Sequence, residues 1–144
     1  MCVSNICVKN GDLAKAEEPA WIAAERMRRR AVGTLVVVNE LQQPVGILTD
    51  RDLVERVLAT GRGARDSLVV EAMTKEPVTI SESASLGCAL AAMRSGKCRR
   101  LPVVNEAGKL CGIVSVDDIL MHIVRELSLV GDLLEEETPA ANIA

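Results

Sequence analysis

The stretch Gly46-Ile47-Leu48-Thr49-Asp50-Arg51-Asp52-Leu53 returns in altered form sixty-six residues later, as Gly112-Ile113-Val114-Ser115-Val116-Asp117-Asp118-Ile119. Extended toward the N-terminus, the two copies align Ala23–Asp52 with Ala89–Asp118 without a gap. Eleven of these thirty positions are identical: Ala23/Ala89, Met27/Met93, Arg28/Arg94, Leu35/Leu101, Val37/Val103, Val38/Val104, Asn39/Asn105, Glu40/Glu106, Gly46/Gly112, Ile47/Ile113 and Asp52/Asp118. A period this long exceeds that of solenoid units and marks the tandem duplication of one small domain.

Each copy predicts the same order of elements. Leu86, Ala89, Leu90 and Met93 recur at helical spacing, as do Ala20, Ala23, Ala24 and Met27. Leu35–Val38 and Leu101–Val104 read as strands, each followed by Asn-Glu. The turns Asn39–Gln43 and Asn105–Lys109 reverse the chain into Val45–Leu48 and Cys111–Val114. Helices are expected over Asp50–Ala59 and Val116–Leu127. A short strand, Pro77-Val78-Thr79-Ile80, precedes the second copy, and a weaker counterpart lies near Asp12-Leu13-Ala14. Each half is a β-α-β-β-α unit of about 60 residues, too small to bury much surface alone. The expectation is therefore an α/β fold with two repeats packed sheet to sheet about a pseudo-two-fold axis. The predicted divisions are 1–62 and 63–134, with Thr60–Asp66 as linker and 135–144 as a frayed tail.

Composition bounds the function. Of 144 residues 49% are hydrophobic, yet Trp21 is the one aromatic, with no Phe and no Tyr. That disfavours single-stranded nucleic-acid platforms, which stack bases on aromatics, and aromatic cages for methylated cations. A net charge of −3 supplies no basic field for DNA. The run Arg26, Arg28, Arg29, Arg30 is read first as a solvated helix face, with phosphate or nucleic-acid contact as the alternative. Five cysteines without a C-x-x-C pair read as reduced thiols. The N-terminal residues lack a signal-peptide pattern and no apolar run is long enough to span a membrane, so a cytoplasmic location is expected.

Nothing here resembles a catalytic apparatus. His122 is the single histidine, whereas a catalytic zinc site needs several convergent ligands. The nucleophile elbow, the Walker phosphate loop and the dinucleotide fingerprint are all missing from the sequence. The expectation is a non-enzymatic protein with no catalytic cofactor and no metal. Cys98, between Lys97 and Arg99-Arg100, is a minor redox-sensor candidate. Trp21, opposite Gly87 in the second copy, is a candidate dimer contact.

The repeated junction has two compatible readings. Thr49 and Ser115 suit helix N-caps, with Asp52 and Asp118 three residues on, close to a capping box. The same strand–turn–helix junction presents free amides and the positive end of a helix dipole, which suits a phosphate. A first-turn carboxylate can accept both hydroxyls of a ribose, and the neighbouring hydroxyl can bond sugar or phosphate. Gly46 and Gly112 would leave room for a flat base, held between aliphatic side chains.

The stretches Met93…Lys97-Cys98-Arg99-Arg100-Leu101-Pro102-Val103-Val104-Asn105 and Gly108–Leu120, with Gly46–Leu53 and the entry segment Val70–Ile80, resemble a tandem pair of CBS domains. The resemblance covers nearly the whole chain and implies a regulatory module. Such a module binds adenine-containing ligands, AMP, ADP, ATP or S-adenosylmethionine, in clefts between the copies. It implies that Thr49 and Asp52 serve one cleft and Ser115 and Asp118 the other, with both aspartates on ribose. It also implies that Arg99 and Arg100 meet phosphates and that the strand holding Thr79 lines the base. Gly33 and Thr34 stand at the first-copy positions of that arginine pair. The Ser115–Asp118 site is therefore expected to prefer phosphorylated ligands, and the Thr49–Asp52 site to be weaker or nucleoside-like. A homodimer and a regulated partner protein are further implications, with a ligand-free dimerisation module as the alternative.

Overall fold

The computed structural model describes residues 1–137. The chain opens with a 3₁₀ turn at Val3–Asn5, then β1 (Leu13–Ala14), α1 (Ala20–Arg30), β2 (Thr34–Val38) and β3 (Pro44–Thr49). Next come α2 (Asp50–Leu53), continued by a π-helical turn at Val54–Leu58, then α3 (Val69–Ala72) and β4 (Thr74–Lys75). The second half supplies β5 (Ile80–Ser81), α4 (Leu86–Gly96), β6 (Arg100–Val104), β7 (Leu110–Ser115) and α5 (Val116–Glu137). One sheet has the order β1-β2-β3-β4 and the other β5-β6-β7, each with a parallel first pair and an antiparallel hairpin. The expected β-α-β-β-α repeat and the α/β class are what the chain forms.

Local chemistry sets the elements. Thr34–Val38 is mostly β-branched, and Leu35 to Val38 are all buried. Both hairpin turns are closed by an asparagine: Asn39 Oδ1 accepts the amides of Leu41 and Gln43, and Asn105 Oδ1 those of Ala107 and Lys109. Helices α1 and α4 end on left-handed residues, Ala31 at φ 53° and Lys97 at φ 51°. In each case the next residue's amide reaches back, Val32 to Met27 and Cys98 to Met93, to satisfy terminal carbonyls. The turn residues Gln42 and Gly108 and the loop residues Asn10 and Glu76 likewise have positive φ at a separation of sixty-six. The duplication therefore extends into backbone conformation at positions where the side chains differ.

Two elements depart from the sequence expectation. The strand expected at Pro77–Ile80 is only Ile80–Ser81, since Pro77 has no amide to give a ladder and Val78 and Thr79 are exposed. Helix α5 runs ten residues past its expected end at Leu127, so residues 135–137 are helical rather than frayed. The remainder of the expected tail, 138–144, lies outside the described residues.

Two aliphatic clusters form the interior, and each borrows from the other half. Val69, Ala72 and Met73 lie with Leu35, Val37 and Leu48 in the first cluster. Val3 lies with Leu101, Val103 and Val114 in the second. The segment around Val3 thus holds in the second half the place that the segment around Val69 holds in the first. Val8 exchanges two backbone hydrogen bonds with Ile113, at 2.9 and 3.1 Å, where β4 pairs with Gly46 and Ile47 in the other sheet. Each cluster therefore takes side chains from both sides of the boundary expected at residue 62. Small aliphatic side chains allow this exchange because they fill close gaps without an aromatic ring to accommodate.

Gly46 and Gly112 serve that exchange, contrary to the expectation that they admit a ligand base. A Cβ on Gly46 would strike the Met73 side chain, and one on Gly112 would lie 2.6 Å from the Val8 carbonyl oxygen. A flexible methionine can move; a paired backbone cannot. Gly112→Ala is thus expected to cost about 1–3 kcal/mol in urea unfolding, with lost amide protection at Ile113. Gly46→Ala should cost clearly less, and equal losses would refute this distinction.

Candidate functional site

The repeated junction forms as capping chemistry requires. At the end of β3, Thr49 Oγ1 accepts the Asp52 amide at 3.1 Å and Asp52 Oδ2 accepts the Thr49 amide at 2.9 Å. At the end of β7, Asp118 Oδ2 accepts both the Ser115 amide at 2.7 Å and its hydroxyl at 2.6 Å, while Ser115 Oγ accepts the Asp118 amide. Capping uses one carboxylate oxygen of each aspartate. The second, Oδ1, lies 3.5 Å from Arg56 on Asp52, and on Asp118 it has no partner among the described residues. Each junction therefore keeps acceptor capacity beyond its structural role.

Two clefts lie between the halves, one at each junction. The first, of about 310 Å³, brings Thr49 and Asp52 against Arg99 and Arg100, with Ile47, Pro77 and Val78 as an apolar wall. Thr34, Thr74, Glu76, Gly96 and Cys98 complete it. The second, of about 470 Å³, holds Ser115 and Asp118 with Ile113, Asn10, Asp12, Arg30, Gly33, Thr34 and Arg100. Every residue of the first cleft has its repeat counterpart lining the second, which makes them two versions of one site.

The structure places Arg99 in the first cleft and Arg100 in both, whereas the sequence expectation grouped the pair with Ser115 and Asp118. Arg99 and Arg100 do not stand with Ser115 and Asp118 alone; they face Thr49 and Asp52 across the interface. The pseudo-two-fold axis sets the start of each hairpin opposite the helix start of the other half. The second cleft has Gly33 where the first has Arg99, and Asp12 where the first has Val78. Its own arginine, Arg30, is tied to that Asp12 at 2.7 Å. Each cleft is lined by two arginines and two carboxylates, but in the second Arg30 and Asp12 engage each other, whereas the first has the apolar wall of Pro77 and Val78.

Thr79 is exposed and lines neither cleft, whereas Pro77 and Val78 of the same stretch line the first. The residues that sequence reasoning missed are Ile47, Val78 and Cys98 in the first cleft and Asp12 and Arg30 in the second. Ile47, Cys98 and Arg30 fall within the aligned copies and Asp12 and Val78 in the strand stretches before them, but the alignment does not show that lining residues cross between halves. Thr34 Oγ1 is buried and has no hydrogen-bond partner among the described residues. An orphaned buried hydroxyl is costly unless something answers it.

The remaining candidates acquire structural partners. Arg26 makes two bonds to Glu18, at 2.6 and 3.0 Å, and another to the Leu13 carbonyl, and Glu18 holds its guanidinium charged. With Arg30 on Asp12 as well, half of the basic run is neutralised, leaving Arg28 and Arg29 exposed. Trp21 stacks under Arg65, 4.7 Å from ring centroid to guanidinium carbon. Burial pushes the thiols of Cys7 and Cys111 up, away from the reactive thiolate. Among the described residues no cluster of metal-ligating side chains occurs, and no helix is long and apolar enough to cross a membrane.

Comparison with known proteins agrees with this architecture. Residues 3–59 and 69–125 each match the CBS domain. The Methanopyrus kandleri protein MK0525 is 38% identical over 103 residues, 72% of this chain, and the chain spans 53% of that relative's length. The crystal structure of Hypoxic Response Protein I, with two coordinated zinc ions, superposes with a TM-score of 0.77 at 29% identity, covering 85% of this chain and 98% of that one. The structure of CBSX2 in complex with AMP gives a TM-score of 0.75 at 23% identity, covering 86% and 97%.

Proposed function

This chain belongs to the CBS-domain family, carrying two copies of the domain, and we propose that it is a regulatory module that binds an adenosine-type ligand in the Asp52 cleft. The observation that carries this reading is the convergence in one cavity of Thr49, Asp52, Arg99 and Arg100 opposite Ile47, Pro77 and Val78. Asp52 accepts the ribose hydroxyls, the two arginines meet phosphate, and the aliphatic wall covers the base. CBSX2, of the same fold, holds AMP. Ser115 and Asp118 take a second, weaker ligand, because Arg30 and Asp12 satisfy each other there. Thr79 has no part in either. Binding at an interface between halves lets the ligand change how they sit together, which is how a partner protein would read occupancy. The module is non-enzymatic, and no catalytic cofactor enters the scheme.

Thermal unfolding with AMP, ATP and S-adenosylmethionine tests the reading. A ligand at a hundred times its Kd adds about 2.7 kcal/mol of stability, a rise of several degrees for a chain of this size. No rise with any of the three would overturn it.

Self-association has its own support. Leu120, Ile123, Leu127 and Val130 follow a three–four spacing along α5 and are between 42 and 64% exposed. A stripe of that kind exceeds the scattered apolar residues a monomer tolerates, and a second copy of α5 matches it in pattern and length. Leu127→Glu is expected to turn a dimer into a monomer in sedimentation equilibrium. A wild-type monomer at high concentration would refute the association.

A further inference from the structure

Thr34 and Arg100 occupy equivalent positions of the two repeats, and they are the two residues that line both clefts. Three arginines line the clefts in all: Arg30, Arg99 and Arg100. Arg30 holds Asp12 at 2.7 Å and Arg99 faces Asp117 at 3.4 Å. Arg100 is exposed and makes no ion pair among the described residues. The one lining cation not engaged by a carboxylate therefore stands where the cavities meet. Its repeat counterpart is an uncharged threonine whose buried hydroxyl lacks a partner among the described residues.

Resting on the adenosine-ligand reading, we propose that Arg100 is a single cation shared by the two clefts, so that anionic ligands occupy them with negative cooperativity and uncharged nucleosides do not. A guanidinium offers a planar fork that pairs with one phosphate at a time. Once the first phosphate holds it, an anion entering the other cleft finds no unengaged arginine and meets the repulsion of the first. Coupling of this kind between neighbouring sites amounts to roughly five- to hundredfold in affinity, and it is reciprocal. A nucleoside without phosphate draws on neither the cation nor the repulsion. Had both copies carried arginine at this position, each cleft would own one. Threonine at position 34 is what makes the sharing necessary.

Calorimetric titration of the full chain with AMP and with adenosine tests this. Asp118→Ala and Asp52→Ala each leave one working cleft and give its intrinsic affinity for each compound. The second AMP step of the wild type should then be at least about fivefold weaker than the matching single-cleft value, while the adenosine steps should equal theirs. Arg100→Gln, at an exposed position, should remove the preference for AMP over adenosine in the Asp118 cleft and reduce it in the Asp52 cleft, where Arg99 remains. Thr34→Arg should supply a second cation and bring the two AMP steps back to independence. A second AMP step equal to its single-cleft value would overturn the sharing, as would an equal weakening with adenosine. Binding of neither compound by the wild type would overturn the underlying ligand reading as well, and so is distinguished from failure of the sharing alone.

Discussion

Replacing Val3 by Asp is expected to destabilise the whole molecule by roughly 3–5 kcal/mol, although the site is three residues from the start of the chain. Chain ends ordinarily tolerate change because little is packed there. Val3 is 0% exposed and sits in the second aliphatic cluster with Leu101, Val103 and Val114. Its amide bonds the Ala84 carbonyl at 2.8 Å, and Ser4 bonds Glu82. A carboxylate placed there has no cation among the cluster's members and must be buried unpaired or drag the segment off the sheet. Losing the segment would also free the edge of β7 at Ile113. Because Val69, Ala72 and Met73 tie the halves in the opposite direction, the loss should not stay in the second half. Trp21, in the first half beside Arg65, reports on this. Its fluorescence and the far-ultraviolet circular dichroism should move together to a lower urea midpoint. A fluorescence midpoint unchanged by Val3→Asp would mean that the halves unfold independently and that the exchanged segments do not couple them.

Asp52→Ala is expected to lower AMP affinity by about a hundredfold or more, the loss of two hydrogen bonds to a charged acceptor. The substitution also removes a cap, which costs about 1 kcal/mol of stability, so affinity and stability must be separated. Deoxy-AMP separates them. Lacking one ribose hydroxyl, it should bind the wild type about tenfold more weakly than AMP, yet bind Asp52→Ala as weakly as AMP does. A variant that still discriminates the two sugars would place the ribose elsewhere. Asp118→Ala should change the tighter AMP site little, since the cleft at Asp52 has the apolar wall and the one at Asp118 has Arg30 tied to Asp12.

Much of this is legible in the sequence itself. The offset of sixty-six residues carried the fold, because a gapless repeat in Val37/Val103, Asn39/Asn105 and Gly46/Gly112 fixes the same hairpin twice. The capping pairs Thr49–Asp52 and Ser115–Asp118 followed from residue type and spacing alone. What was hidden is whatever depends on the relation between copies. Arg99 and Arg100 are sequence neighbours of the second repeat's own strand, but they face Asp52 because of the interface symmetry. The roles of Gly46 and Gly112 were hidden for the same reason, since Met73 and Val8 reach them from segments the alignment assigns to the other half. Thr79 misled because a β-branched residue in an apolar run looks like strand, whereas Pro77 delays the pairing to Ile80. No glycine or proline stands at Leu127, where the end of α5 is expected; Gly131 lies within the helix and Pro139 follows only after Glu137.

The central claim is that one cleft between the repeats receives an adenosine ligand, and amide nuclear magnetic resonance of the labelled chain during an AMP titration tests it most directly. The account predicts saturable shifts concentrated at Thr49, Asp52, Val78, Arg99 and Arg100, with Ser115 and Asp118 responding only at higher AMP. Shifts confined to α1 or α5, or no saturable shift at any amide, would contradict it.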